Sequence, residues 1–154
     1  MTRREIFRLQ PGDEGAAAET FRVMAGAFEE EHHQLSQTYL ERLLRREDFW
    51  AMAARVDGTI VGGITGHALP MTRSEEWELF IYDLAVKAEY RRQGIGRALV
   101  QELCAAAAER GIGLAFVPAE DEDTEAVEFY RAIQGEESGV RIFVFAPAAA
   151  EVED

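Results

Sequence analysis

Cysteine is all but absent from this chain: Cys104 stands alone, which excludes an internal disulfide. It falls among helical alanines, so a buried structural thiol is expected there rather than a nucleophile. No apolar run approaches the roughly 20 residues that a spanning helix needs. None follows the basic start Met1-Thr2-Arg3-Arg4 either, so no signal peptide is expected and the cytoplasm is the expected compartment. Basic residues are scarce, 16 against 29 acidic ones, for a net charge of −13. That balance argues against nucleic acid as a partner, which needs a basic face. It leaves two readings, simple solubility or attraction of a cationic ligand. His32 and His33 have no metal-ligand spacing with other candidates, and no metal is expected. Repeats, linkers and compositional breaks are absent as well. The 154 residues are therefore read as one domain over 1–154, with a frayed tail over 147–154.

What remains is an interleaved pattern of strands and helices. Residues 5–9 alternate as a short edge strand broken by Pro11-Gly12. Asp13 is the expected cap of a helix to about Phe28, with Phe21, Met24, Ala25 and Phe28 on one face. Ser36 caps a second helix whose apolar positions are Tyr39, Leu40, Leu43 and Leu44. Strands over 49–56 and 59–69 are joined by the turn signal Asp57-Gly58. Gly62, Gly63 and Gly66 in the second of these predict a bulge or a close neighbour. A buried strand is expected over 112–117, a helix from Asp123 and a last strand over 140–145. The pattern predicts an α/β fold, a mixed sheet with helices on both faces.

The densest chemistry lies between Glu78 and Arg110. An apolar strand interrupted by Asp83 leads through Arg91-Arg92-Gln93-Gly94-Ile95-Gly96 into a helix marked by Ile95, Leu99, Leu103 and Ala106. A helix N-terminus presents unpaired N–H groups and partial positive charge, which suits an anion. Gly94 and Gly96 permit close approach or positive φ, while Arg91, Arg92 and Arg97 supply forked donors. These residues read as a phosphate or pyrophosphate cradle.

RRQGIGRAL resembles the Arg/Gln-x-x-Gly-x-Gly/Ala signature of the GNAT superfamily of N-acetyltransferases. With IYDLAV before it and AVEFY at residues 126–130, the chain is most similar to the type I aminoglycoside 3-N-acetyltransferases. The resemblance implies a single-domain GNAT fold, with a mixed, mostly antiparallel twisted sheet. It implies acetyl-CoA as cofactor, held by Leu84, Ala85, Val86, Arg91, Arg92, Gln93, Gly94, Ile95, Gly96 and Arg97. It further implies an aminoglycoside of the gentamicin kind as substrate, acetylated at the 3-amino group. Members are often homodimers, though no interface pattern is readable here. Two alternatives stay open: acetylation of another amine, on a polyamine or a protein, and a non-catalytic acyl-CoA sensor.

Each candidate residue has two readings. Asp83, mid-strand among apolar neighbours, either accepts local hydrogen bonds at a bulge or receives a substrate ammonium and acts as general base. The family resemblance favours the second. Tyr130 is either a core aromatic or, by resemblance, the acid that protonates the leaving thiolate. Here the chain departs from the family's Tyr-x-x-x-Gly-Phe ending, with Gln134-Gly135-Glu136 in its place. Glu120, Asp121, Glu122 and Asp123 form either a solvated run or a sink for ammonium groups. Glu78 and Tyr82 complete the substrate-binding candidates. Strand alternation puts Glu78 on the face opposite Asp83 unless a bulge intervenes. Glu29-Glu30-Glu31 is either a solvated helix end or one wall of the acceptor groove.

Overall fold

The computed structural model describes residues 1–148, which fall into two compact units, Met1–Pro118 and a second from Ala119 onward. The first unit is built on an open five-stranded sheet: β1 (Arg4–Arg8), β2 (Phe49–Val56), β3 (Thr59–Pro70), β4 (Trp77–Val86) and β5 (Ala115–Phe116), in that spatial order. The first four strands pair antiparallel with their sequence neighbours, and β5 joins β4 in parallel. Asp57 and Gly58, both at positive φ (48° and 84°), close the β2–β3 hairpin in the conformation that matches strand twist. The parallel step needs a crossover, and helix α3 (Ile95–Glu109) supplies it.

Strand β2 shows why the layers form. Its residues Trp50, Met52, Ala54 and Val56 share a core with Ile95, Leu99, Leu103 and Ala107 of α3. The intervening Phe49, Ala51 and Ala53 pack instead with Ala17 of α1 (Glu14–Ala27) and with Leu40 and Leu44 of α2 (Gln37–Arg45). A period of two on a strand buries both faces only if both carry helices, and they do. The expected mixed, mostly antiparallel sheet is therefore the observed one. Helix α1 lies close because β3 is glycine-rich. A Cβ on Gly63 would come within 2.5 Å of Thr20 Cγ2 and 2.9 Å of Met24 Sδ.

Several local expectations are corrected. Asp13 precedes α1, but its carboxylate accepts from the Gln10 amide (2.8 Å) and closes the Pro11-Gly12 turn rather than capping the helix. The buried face of α1 is Ala17, Thr20, Val23 and Met24, while Phe28 and Tyr39 are exposed. Ser36 does cap α2, its hydroxyl accepting from the Tyr39 amide at 3.1 Å. The strand expected over 112–117 shrinks to two residues with exposed side chains. No strand forms over 140–145, where Val140, Ile142, Phe143, Val144 and Phe145 are exposed. β-propensity states only that a side chain fits a pleated, half-buried surface, and among its described residues the second unit contains no strand to provide one. The regular element of that unit is α4 (Thr124–Ala132), where Asp123 Oδ1 accepts from the Ala126 amide at 3.1 Å. Residues 149–154 of the expected tail lie outside the described residues. Among the described residues no helix is long and apolar enough to cross a membrane.

Candidate active site

Strand β4 places the acids. Its register against β3 pairs Gly66 with Ile81 and Thr65 with Asp83, so Tyr82 is an extra residue and the strand bulges there. The bulge shifts the parity of everything after it. Leu79 and Ile81 face the α3 core. Phe80 pairs with His67, which pairs with Phe49 on the α1–α2 side. Thr65, opposite Asp83, pairs with Ala51 on that same side. Glu78 and Asp83, five positions apart, thus share one face, which uninterrupted alternation would forbid. A row of rings lies between them: His67 and Tyr82 at 5.7 Å, Tyr82 and Phe80 at 5.6 Å, Phe80 and Phe116 at 5.1 Å. Tyr82 is the outermost of these, 60% exposed. A cavity of about 290 Å³ opens beside Glu78, bounded by Leu69 of β3 and by Met71 and Arg73 of the β3–β4 connection.

Asp83 is half-buried, and among the described residues its carboxylate accepts no hydrogen bond. Burial raises its pKa above the ordinary aspartate value, and the nearby charge of Glu30 raises it further. The structural reading of Asp83, a carboxylate satisfied locally at a bulge, is half met: the bulge exists and the hydrogen bonds do not. Glu30 brings the run after α1 to this site. Glu29 takes positive φ (57°), and the Glu30 amide bonds back to the Ala25 carbonyl at 3.0 Å, turning the chain as the helix ends. A second carboxylate charge acting on Asp83 favours an ammonium group there, and the more basic acid can take its proton.

The cradle lies at the other end of β4. Gly94 adopts φ 80° and caps α3, and Arg92 is also left-handed (φ 61°). The first intrahelical bond comes from the Ala98 amide to the Gly94 carbonyl at 3.0 Å. The preceding amides of Ile95, Gly96 and Arg97 are thus free of helix partners. Gly96 lies within the helix and has no positive φ, so only Gly94 uses that freedom. Arg92 and Arg97 are exposed and engage no protein group among the described residues. Arg91 differs: its Nε donates to the Val86 carbonyl (3.0 Å) and its Nη2 to the Ala27 carbonyl (3.3 Å). Gln93 Nε2 donates to the Glu89 carbonyl at 3.4 Å. Its own carbonyl accepts from Arg4 Nη1 at 2.9 Å, so the edge strand β1 steadies the loop. Arg4 had no sequence signal beyond its charge.

Between cradle and acids the sheet opens. The β4–β5 ladder comprises only Leu79 with Ala115 and Phe80 with Phe116. On that side, residues 81–86 of β4 have no strand partner among the described residues, and Leu84, Ala85 and Val86 lie in this stretch. An open strand edge leading to a helix N-terminus fits an extended amide-bearing arm that ends in a pyrophosphate.

The remaining candidates lie in the second unit. Glu120, Asp121 and Glu122 precede α4, and Asp123 serves as its cap. Tyr130 lies in α4 with its ring edge-on to Phe129 at 5.2 Å, and its carbonyl accepts from the Gly135 amide at 2.9 Å.

These features define an acyl-CoA-dependent transferase, and comparison with known proteins agrees. The acetyltransferase (GNAT) family matches residues 17–135, and the chain belongs to that family. A comparison with curated protein sequences finds no match. Among solved structures, an aminoglycoside acetyltransferase from an uncultured soil metagenomic sample, in complex with trehalose, is 31% identical. The match covers 93% of this chain and 96% of that one, with TM-score 0.86. The same enzyme in complex with sisomicin gives TM-score 0.85 at 30% identity, over 93% and 96% of the two chains. A second soil metagenomic aminoglycoside acetyltransferase is 29% identical over 94% of this chain and 99% of its own, with TM-score 0.87. An aminoglycoside N-acetyltransferase in complex with CoA, at 15% identity and TM-score 0.80, shows the shared fold. The α/β GNAT fold with its open five-stranded mixed sheet is thus this chain's fold, and acetyl-CoA is its acyl donor.

Proposed function

We propose that the chain acetylates an aminoglycoside of the gentamicin kind at the 3-amino group of its 2-deoxystreptamine ring. The observation that carries this reading is the β4 bulge, which brings Glu78 and Asp83 onto one aromatic-lined face. A polyamine glycoside offers ammonium groups for both acids and sugar rings for the aromatic row. The aminoglycoside acetyltransferases at about 30% identity support the substrate class. The 3-amino position rests on the likeness of IYDLAV, RRQGI and AVEFY to the type I 3-N enzymes.

Acetyl-CoA supplies an acetyl thioester when bound. The other roles fall to residues of this chain. The free amides of Ile95, Gly96 and Arg97, with the Arg92 and Arg97 guanidiniums, hold the diphosphate. Asp83 binds the attacking ammonium and removes one proton, because only the neutral amine is nucleophilic. An N–H of the open β4 edge would polarise the thioester carbonyl. As the N–C bond forms and the C–S bond breaks, Tyr130 or water would give a proton to the departing thiolate. Acetylation removes a positive charge that an aminoglycoside uses on RNA, so the cell carrying this enzyme becomes resistant.

The test is thiol release from acetyl-CoA with gentamicin, sisomicin, spermidine and a lysine peptide, followed by NMR of the product. Turnover with the two drugs and an acetyl group on the 3-nitrogen is the expected result. Turnover confined to spermidine or peptide would discard the drug reading, and none with any amine would favour an acyl-CoA sensor.

A further inference from the structure

We propose that Arg91 is a positioning residue: it ties the end of α1 to the end of β4 and so holds the Glu29-Glu30-Glu31 wall against Asp83, instead of gripping phosphate. The inference rests on the reading of Asp83 as the acceptor carboxylate. Its foundation is a pair of hydrogen bonds from one guanidinium to carbonyls of two elements, Val86 of β4 at 3.0 Å and Ala27 of α1 at 3.3 Å. The Ala27 carbonyl ends a helix that has no basic residue in its own last turn. Such a carbonyl lacks an intrahelical donor and carries partial negative charge. Arg91 supplies both the donor and the charge from a distant part of the chain. Two residues past Ala27 the backbone turns left-handed at Glu29, and Glu30 follows with its charge acting on Asp83. Fixing Ala27 therefore fixes where Glu30 begins. Arg92 and Arg97 engage no protein group among the described residues, which leaves them for the anion.

The consequence is a link between the two halves of the site. The residue that opens the phosphate loop also sets the acceptor wall. Lysine cannot replace it: an ammonium retains the charge but lacks the planar fork that spans two carbonyls. A phosphate-gripping arginine would tolerate lysine far better.

The experiment compares wild type, Arg91→Lys, Arg91→Ala and the double variant Arg92→Ala/Arg97→Ala. Sisomicin KM is measured at saturating acetyl-CoA, and coenzyme Kd by calorimetry. Arg91→Lys is expected to raise the sisomicin KM about tenfold and leave the coenzyme Kd within about twofold, while the double variant does the reverse. Combined with Glu30→Gln, Arg91→Lys should add less than about twofold, because both changes disable one wall. Amide hydrogen exchange at Glu29 to Glu31 should quicken about tenfold in Arg91→Lys. Wild-type KM in Arg91→Lys, a loss confined to coenzyme Kd, or effects that multiply in full would overturn the proposal. If wild type acetylates none of the amines, the substrate reading fails separately. The exchange measurement then decides alone, and unchanged exchange sinks the tie. Failure of Arg91→Lys to fold would also overturn it, since two solvent-near hydrogen bonds do not sustain a whole fold.

Discussion

Asp83, the proposed base, is half-buried, and its energetics carry a sign that can be measured. Its pKa is raised by burial and then by Glu30, so the folded chain holds that proton more tightly than the unfolded one. Below the unfolded value of about 3.9 both states are protonated and the residue costs nothing. As pH rises the folded state must ionise a desolvated group beside another carboxylate, and stability falls. Asp83→Asn should therefore melt at a higher temperature than wild type at pH 7, and the difference should vanish at low pH. The same substitution should lower kcat/KM by about 10²- to 10⁴-fold, with coenzyme binding intact. Thermal melts across pH and calorimetry with coenzyme check the two halves, and an unimpaired rate would remove Asp83 as base. The acid limb of kcat/KM should lie above the ordinary aspartate range, and Glu30→Gln should move it to lower pH. Cys104, whose thiol pKa burial pushes up, should be replaceable by alanine with no loss of rate.

At the scale of elements, the close approach of α1 to β3 depends on a missing side chain. Gly63→Ala would drive a methyl against Thr20 and Met24, and overpacking of this kind costs about 1–3 kcal/mol. Urea denaturation should show that loss. At Gly62 a Cβ would meet the Ala85 carbonyl at 2.6 Å, so Gly62→Ala should displace β4 itself and cost turnover as well as stability. Gly94 is the contrasting case: the nearest atom to its Cβ position is Arg4 Nη1 at 3.7 Å, so the space is open. The penalty for Gly94→Ala is the left-handed backbone alone, about 1 kcal/mol. These differences explain what the sequence disclosed and what it withheld. Turn and cap signals act locally, so Asp57-Gly58 and Ser36 were readable. The glycines of β3 announced a close neighbour without naming α1. The bulge at Tyr82 was named only as a condition, because a bulge is set by pairing with β3 and leaves no mark in β4 alone. The hydrogen bond from Arg91 to Ala27 was not readable, because the motif position of Arg91 says nothing of a residue 64 positions away. Residues 140–145 read as a strand because propensity cannot see whether a partner strand exists.

Across the whole molecule, charge separates the two ligands. A net −13 sets up a negative field around a site whose acceptor side is acidic and whose opposite end is a helix N-terminus with Arg92 and Arg97. On the proposed reading, a polycationic acceptor is drawn in by that field, and the polyanionic coenzyme is repelled until it reaches the proposed cradle. Steering of this kind raises on-rates by about 10- to 10³-fold and fades with salt, the screening length being about 10 Å at 0.1 M ionic strength. Raising sodium chloride from about 0.05 to 0.5 M brings that length from well above the spacing of surface charges to well below it. The kcat/KM for gentamicin should therefore fall about tenfold or more over this range. For acetyl-CoA it should change little or rise, because the long-range repulsion and the local attraction are screened together. A neutral amine acceptor of similar size should show almost no dependence. If gentamicin and acetyl-CoA instead weaken in parallel, the acidic excess has no part in choosing the acceptor. The carboxylates on the β4 face would then act only at contact.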